Sequence, residues 1–351
     1  MNSNSALSKT PFERLAICDF KGSSLRLGQQ YGEHCSGLIE GFYAQECTPN
    51  EKKLLYAAEC LPLIRRFAPE SNRFLEGMAQ ATKLSLKDAT LLTLHEELYH
   101  SRFDPSHCTA IVVPPRQSRT RSPYVAQNWD WQPQLSPWAG MLRMRWSRDL
   151  STLTYQYPGL WACCGINSAG LALMWTGAGY FPPIKPSVGL PTYIITSELI
   201  RRKSVHEALE FLRKVPKAGP FMFLLGDAGG ECALVEATPN HMRIENVDTV
   251  AYRANLYEFA DVIKVSKQVL DTKKIHSSGR MKAITGYLAR HQRPVSLTTL
   301  KDILSLPAVR VHKPLKSVTV DQLIADCRAR RLFIRRNGIS SQHRWMEYGF
   351  E

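Results

Sequence analysis

Ser106-His107-Cys108-Thr109-Ala110-Ile111-Val112-Val113 marks a change of character in the chain. About a hundred residues of helix-like sequence end there, and a strand-like apolar run starts at the cysteine. A second strand-like piece then ends in Gln127-Asn128-Trp129-Asp130-Trp131. Cutting the His107–Cys108 bond would put a thiol and a free α-amine on one residue. An α-amine titrates near ~8. It can therefore take the proton from its own thiol and activate it as a nucleophile.

Working outward, residues from 22 to 100 read as helices, with Leu27, Tyr31, Cys35, Leu38 and Phe42 at helical spacing. Pro62 and Pro69 are expected to interrupt the pattern. Ser85 and Asp88 form an N-cap and first-turn acid ahead of Ala89 to Tyr99. Beyond Cys108, strands are predicted at 111–113, 124–126, 142–146, 153–157, 161–165 and 171–175, the last two joined by the turn Asn167-Ser168-Ala169-Gly170. Helices return at 192–202 and behind Ser204, where Glu207 completes a capping box. A strand–turn–strand unit covers 221–236, and helices are predicted at 261–270, 280–290 and 297–304. Strands close the chain at 317–324 and 332–335. This order of helices, strands, helices and strands predicts an α+β protein, with two antiparallel sheets face to face and helices outside.

Composition narrows the function classes. No run of about 18 apolar residues occurs, so no membrane span is expected. Met1 to Lys9 lacks the apolar stretch of a signal peptide. The nine cysteines are scattered, with no Cys-x-x-Cys pair, which argues against a disulfide framework and a zinc knuckle and for a reducing, cytoplasmic setting. The 45 Lys and Arg exceed 31 Asp and Glu, which suits an anionic partner such as an acyl-CoA or another acidic substrate, or simply makes a solvated cationic surface. Nucleic acid is disfavoured, because the only basic cluster is Arg328-Ala329-Arg330-Arg331 with Arg335-Arg336.

Three residues are candidates for chemistry. Cys108 stands at the switch from helical to strand sequence. Asp130, between Trp129 and Trp131, is a carboxylate flanked by aromatics and so needs partners; it could orient the α-amine or the thiol. Asn255, in Tyr252-Arg253-Ala254-Asn255-Leu256-Tyr257, reads either as an amide suited to an oxyanion or as a turn residue, an ambiguity shared by Asn128. Trp129 and Trp131 could line an apolar acyl pocket. A Cys/His dyad with His95, His100 or His107 stays open. No His-x-x-x-His pair, Gly-x-Ser-x-Gly elbow or P-loop occurs, so neither a metal nor a cofactor is expected.

These pieces resemble, in order, the acyl-CoA:6-aminopenicillanic acid acyltransferase family of N-terminal-nucleophile hydrolases. Leu27 to Gly32 resembles its first helix, and Pro69-Glu70 through Leu75 to Ala79 the segment before the nucleophile. Cys108-Thr109-Ala110 and Gln127 to Trp131 resemble its catalytic core. Gly165 to Leu171, and Asp227 to Glu231 with Glu236, resemble later hairpins. The resemblance implies a four-layer αββα sandwich cut from a precursor, with residues 1–107 as a helical N-terminal segment and 108–351 as the catalytic core. It implies Cys108 as nucleophile, His107–Cys108 as the cleavage site, Asp130 as the supporting aspartate and Asn255 as the oxyanion amide.

The chain departs from the family pattern at three places. His107 stands where glycine is usual, Arg253 and Leu256 replace histidines around the asparagine, and the basic residue ahead of a C-terminal strand falls near Lys316. The reading that follows is an amide-bond hydrolase or acyltransferase working through a thioester, on a small-molecule amide or thioester. The alternatives are an unprocessed relative that binds an acyl or peptide ligand without turnover, and a basic protein that binds nucleic acid or an anionic membrane.

Overall fold

The computed structural model describes residues 17–99, 108–178, 187–268, 276–291, 293–313, 316–336 and 344–350. The chain opens with β1 (Ile17–Lys21), then α1 (Ser24–Phe42), α2 (Glu51–Phe67), α3 (Pro69–Gln80), α4 (Leu86–Thr93) and α5 (His95–Tyr99). Next come β2 (Thr109–Val113), β3 (Tyr124–Trp131), β4 (Gly140–Arg145), β5 (Ser151–Tyr157), β6 (Leu160–Asn167) and β7 (Ala172–Gly177). Helices α6 (Thr192–Leu199) and α7 (Val205–Lys214) precede β8 (Phe221–Gly226), β9 (Cys232–Thr238), β10 (His241–Asn246) and β11 (Ala251–Arg253). The chain continues through α8 (Ala260–Ser266), α9 (His276–Arg290), α10 (Leu297–Ser305), β12 (His312–Lys313), β13 (Ser317–Asp326), β14 (Arg331–Arg336) and β15 (Met346–Tyr348).

The strands form two sheets. One runs β1-β4-β5-β6-β7-β8-β9-β10; the other runs β11-β2-β3-β13-β14-β15, with β12 beside β13. All pairings are antiparallel except β1 with β4. The sheets face one another through an aromatic layer in which Trp129 meets Tyr155 and Trp175. Alternation along β2 and β3 explains the layering: Ala110, Val112, Val125 and Trp129 point into the inter-sheet core. Ile111, Val113, Tyr124 and Ala126 point the other way, onto Ile284, Leu300 and Ile303 of α9 and α10. Strands apolar on both faces belong in a sheet covered on both faces. On the outside of the larger sheet, Phe74 of α3 stacks on Trp161 of β6 at 4.4 Å between ring centroids. Trp161 Nε1 also donates to Ser197 Oγ of α6 at 2.8 Å. The result is helices, sheet, sheet, helices, as expected.

The N-terminal helices join this core directly. A Cβ at Gly28 would lie 2.0 Å from the carbonyl oxygen of Phe74, and one at Gly77 2.1 Å from that of Leu25, so α1 and α3 touch backbone to backbone. The segment before Cys108 is not purely helical either, because β1 pairs with β4 of the core. Its helices share one hydrophobic cluster with the strands, so the division at 107/108 divides the chain and not the fold. Pro62 does not interrupt α2 but sits inside it on the exposed side, while Pro69 opens α3 at its first turn. Burial of Ala57, Cys60, Leu61 and Ile64 along α2 outweighs the roughly 3 kcal/mol that an internal proline costs.

Glu97 ties α5 to α6 and makes stability depend on pH. Its Oε1 accepts from Thr192 N at 2.8 Å and Thr192 Oγ1 at 2.7 Å, capping α6 from a distance. Burial pushes its carboxyl up to about 7, against the opposing Thr192 hydrogen bonds. A carboxyl raised on folding stabilises the fold below its unfolded value of about 4.3. That contribution is lost as pH climbs towards 7. Glu97→Gln is therefore expected to remove up to about 1.4 kcal/mol per pH unit of declining stability over this window. Urea unfolding of both proteins at several pH values checks this; equal slopes would mean that Glu97 is already ionised in the folded chain.

Candidate active site

The site forms where four strands of the smaller sheet end side by side. Arg253 of β11 pairs with Ala110 of β2, and this register, continued, sets Asn255 opposite Cys108. On the other side Thr109 pairs with Asn128 of β3, which brings Cys108 to the end of β3 that carries Asp130. Asp130 in turn pairs with Thr319 of β13, just before a bulge at Val320. Asn255, Cys108, Asp130 and Thr319 thus line one sheet edge in strand order.

Cys108 lies one residue before β2, buried, with a left-handed backbone at φ 65°. A non-glycine residue there costs on the order of 1–2 kcal/mol. Cys108 Sγ lies 3.9 Å from the backbone oxygen of Asp130, and its backbone N–H donates to the Asp130 carboxylate. Thr319 Oγ1 donates to Asp130 Oδ1 at 2.6 Å and itself accepts from Val311 N at 2.9 Å. The loop before β12 is pinned to the site in this way.

A fully buried arginine links the three candidates. Arg280, on α9, donates from Nη1 to the carbonyl oxygen of Cys108, to Thr109 Oγ1 at 2.8 Å and to Asp130 Oδ2 at 3.4 Å. Its Nη2 donates to Asn255 Oδ1 and Ser277 Oγ at 2.8 and 2.9 Å. Asn255 is also left-handed, at φ 64°, and its Nδ2 donates to Thr176 Oγ1 and Gly177 O at 2.7 and 2.8 Å. Its loop is anchored by Arg253, which pairs with the buried Glu236 at 2.6 Å; Glu236 also accepts from the N–H groups of Glu258 and Phe259.

Burial, with the Asp130 charge second, pushes the Cys108 thiol well above its usual range. The Gln127 side chain, held at Oε1 by Trp175 N, acts in the opposite direction. Asp130 is pushed up to about 6 by burial, against Arg280, Thr319, the Cys108 N–H and Arg310. At neutral pH the uncut chain therefore holds an ionised Asp130 beside a protonated thiol. His276, at the start of α9, is pushed down to about 4 by burial first, then by Arg280 and Lys313, and is neutral.

Other expectations fare differently. Trp129 and Trp131 are buried in the aromatic layer, against Tyr155 and Tyr157, and border packed protein. An acyl pocket there would require this layer to open. Lys316 is exposed in the turn before β13, and the cations that act on Asp130 are instead Arg280 and Arg310. His95 packs 5.3 Å from the Trp131 ring with its Nε2 3.5 Å from Glu46; His100 and His107 lie outside the described residues. Asn128 turns to the helical layer, donating to Leu304 O at 3.0 Å. Of the C-terminal arginines, Arg331 pairs with Glu347, Arg335 donates to Ser305 and Arg336 pairs with the buried Asp321. No group of three or more metal-ligating side chains occurs among the described residues.

Sequence reading missed Arg280, Thr319 and Arg310. One signal was present for the first: Arg280 occupies the face of α9 that also buries Ser277, Met281 and Ile284. A charge in a buried stripe needs partners.

The site thus sets a cysteine at the head of an inner strand of an αββα sandwich, with an aspartate and an asparagine on the neighbouring strand ends. The chain belongs to the acyl-coenzyme A:6-aminopenicillanic acid acyl-transferase family, whose sequence profile matches residues 116–335. The matched stretch holds Asp130 and Asn255 and starts downstream of Cys108. No curated protein matches the chain. Among solved structures, penicillin V acylase from Agrobacterium tumefaciens is similar at 15% identity and TM-score 0.44, over 68% of this chain and 86% of the acylase. A single-substitution variant of conjugated bile acid hydrolase from Clostridium perfringens is similar at 12% identity and TM-score 0.44, over 68% of this chain and 92% of the hydrolase. Nothing about substrate follows from likeness at this level.

Proposed function

We propose that the chain hydrolyses an amide, or transfers an acyl group, through a thioester on Cys108, after the His107–Cys108 bond is cut. The observation that carries this reading is the left-handed Cys108 at the head of β2, with Asp130 and Asn255 gathered at the same sheet edge. In the uncut chain the thiol attacks the carbonyl carbon of residue 107, and the peptide nitrogen of Cys108 leaves as an amine. Asp130, which already accepts the Cys108 N–H, holds that nitrogen through the change. Water then hydrolyses the resulting thioester, releasing the N-terminal fragment as its carboxylic acid and restoring the Cys108 thiol. In the mature enzyme the α-amine takes the thiol proton, the thiolate attacks an amide or thioester carbonyl, and the α-ammonium passes the proton to the departing amine or thiol, which leaves the acyl group as a thioester on Cys108. Asn255 donates to the oxyanion once one of its amide hydrogens leaves Thr176 or Gly177. Water or an amine then frees the acyl group. The nine unpaired cysteines support a reducing, cytoplasmic setting.

Intact-mass measurement and N-terminal sequencing of freshly purified protein test this. The expected result is two fragments meeting at His107/Cys108. A single uncut chain with no thiol-dependent turnover would replace the proposal with a binding protein for an acyl or peptide ligand.

A further inference from the structure

We infer that Arg280 is the positioning residue of this site: its guanidinium holds the Cys108 carbonyl and Asp130 with one nitrogen and Asn255 with the other, fixing nucleophile, carboxylate and amide relative to one another. The inference rests on the proposed roles of Cys108, Asp130 and Asn255. Arg280 is completely buried, and both terminal nitrogens are committed to the site. Burying an ion pair gains little stability over an apolar pair of the same volume. Fixing α9 to the sheet would need no charge, since Met281 and Ile284 beside it already pack as apolar residues. A planar fork that donates in two directions at once is what Arg280 supplies and an apolar side chain does not.

Two consequences follow for the neighbours. With Asn255 Oδ1 accepting from Nη2, the Asn255 amide hydrogens must face Thr176 and Gly177; the flipped amide would set donor against donor. The second concerns the charge on Asp130. The groups that face it are Arg280 from α9, Arg310 from the loop after α10, Thr319 from β13 and the Cys108 thiol and N–H at the head of β2. His276, held neutral by burial and by the charges of Arg280 and Lys313, adds no further charge. Of the two cations that face Asp130, Arg280 alone forms an ion pair with it.

The test uses the full chain with Arg280→Gln and Arg280→Lys. Asp130 is titrated by carbon NMR of the aspartate carboxyls, with Asp130→Asn identifying its signal. Hydrogen exchange of the Asn255 side-chain amide is followed by nitrogen NMR, with Asn255→Ala as reference. In the Gln variant the Asp130 midpoint is expected to rise by about one pH unit or more, and the Asn255 amide to exchange about tenfold faster. In the Lys variant, which keeps the charge but not the fork, the midpoint is expected to stay within about half a unit while Asn255 still exchanges faster. Where the wild type turns over, the Lys variant is expected to lose about tenfold in kcat with KM unchanged. A Gln variant with both readouts as in wild type, or a Lys variant with Asn255 fully protected, would overturn the inference. Should the Gln variant fail to fold, the Lys variant alone decides. Neither NMR readout needs a substrate, so loss of the acyl-transfer reading, seen as a wild type without turnover, stays distinct from loss of this one.

Discussion

Cys108→Ala is expected to give a folded chain that stays uncut and turns over no amide or thioester, a loss of about 10⁴-fold or more in kcat. Folding should survive, because the side chain is small and alanine is no worse than cysteine at φ 65°. Cys108→Gly separates strain from chemistry. Glycine adopts this backbone freely, so the variant is expected to gain up to about 1 kcal/mol before the lost packing is counted, and still to be inert. Cys108→Ser keeps a nucleophile, but one much harder to deprotonate, and should cleave slowly and turn over poorly. Intact mass, urea unfolding and amide turnover on the three proteins decide the matter. Wild-type activity in the alanine variant would remove Cys108 from the mechanism.

Asp130→Asn should cost about 10²–10³ in the rate of processing or turnover while leaving the fold largely in place. Asparagine keeps the acceptor for Thr319 Oγ1 but loses the charge and the second oxygen that accepts from Arg280. The pH dependence gives the sign. Burial holds the wild-type carboxyl at about 6. It is therefore ionised at neutral pH and becomes neutral as pH falls through that value. The wild-type rate should drop on the acid side with a midpoint near there, and the asparagine variant should lose that limb. Asp130→Ala is expected to be worse for stability, by about 3–5 kcal/mol, because the buried Arg280 charge and the Thr319 hydroxyl would both be left without an acceptor. A wild-type rate that does not change between pH 5 and 8 would rule out a role for the Asp130 charge.

Local signals in the sequence read true where the interaction is local. Ser85 accepts from Asp88 N, and Ser296 caps α10, each within one turn. Ser204 caps α7 as expected, although Glu207 returns its carboxylate to Lys203 N in place of the cap's own N–H. The turn at Asn167 is built by its own side chain, whose Oδ1 accepts from Ala169 and Leu171. Strands apolar on both faces, such as β2, β7 and β8, were recognisable because burial on both sides leaves a continuous apolar run. The edge strands β1, β10 and β15 were not. Each is short or half exposed, and β1 depends on a remote partner, pairing with β4 across all of α1 to α5.

The same division runs through the site. Cys108, Asp130 and Asn255 could be named from residue type, position and family pattern, since each lies at a strand end that the apolar rhythm marks. Their meeting is a property of strand order: β11, β2, β3 and β13 bring residues 255, 108, 130 and 319 to one edge only when the sheet is assembled. The sequence also carried the αββα layering, because alternation along a strand is written residue by residue. Arg280 as the shared partner, Thr319 as the second donor to Asp130 and the raised Cys108 thiol belong to the folded state alone. Hydrogen-bond partners and desolvation depend on which groups are brought within a few ångströms after water is expelled, and sequence spacing carries no record of that distance.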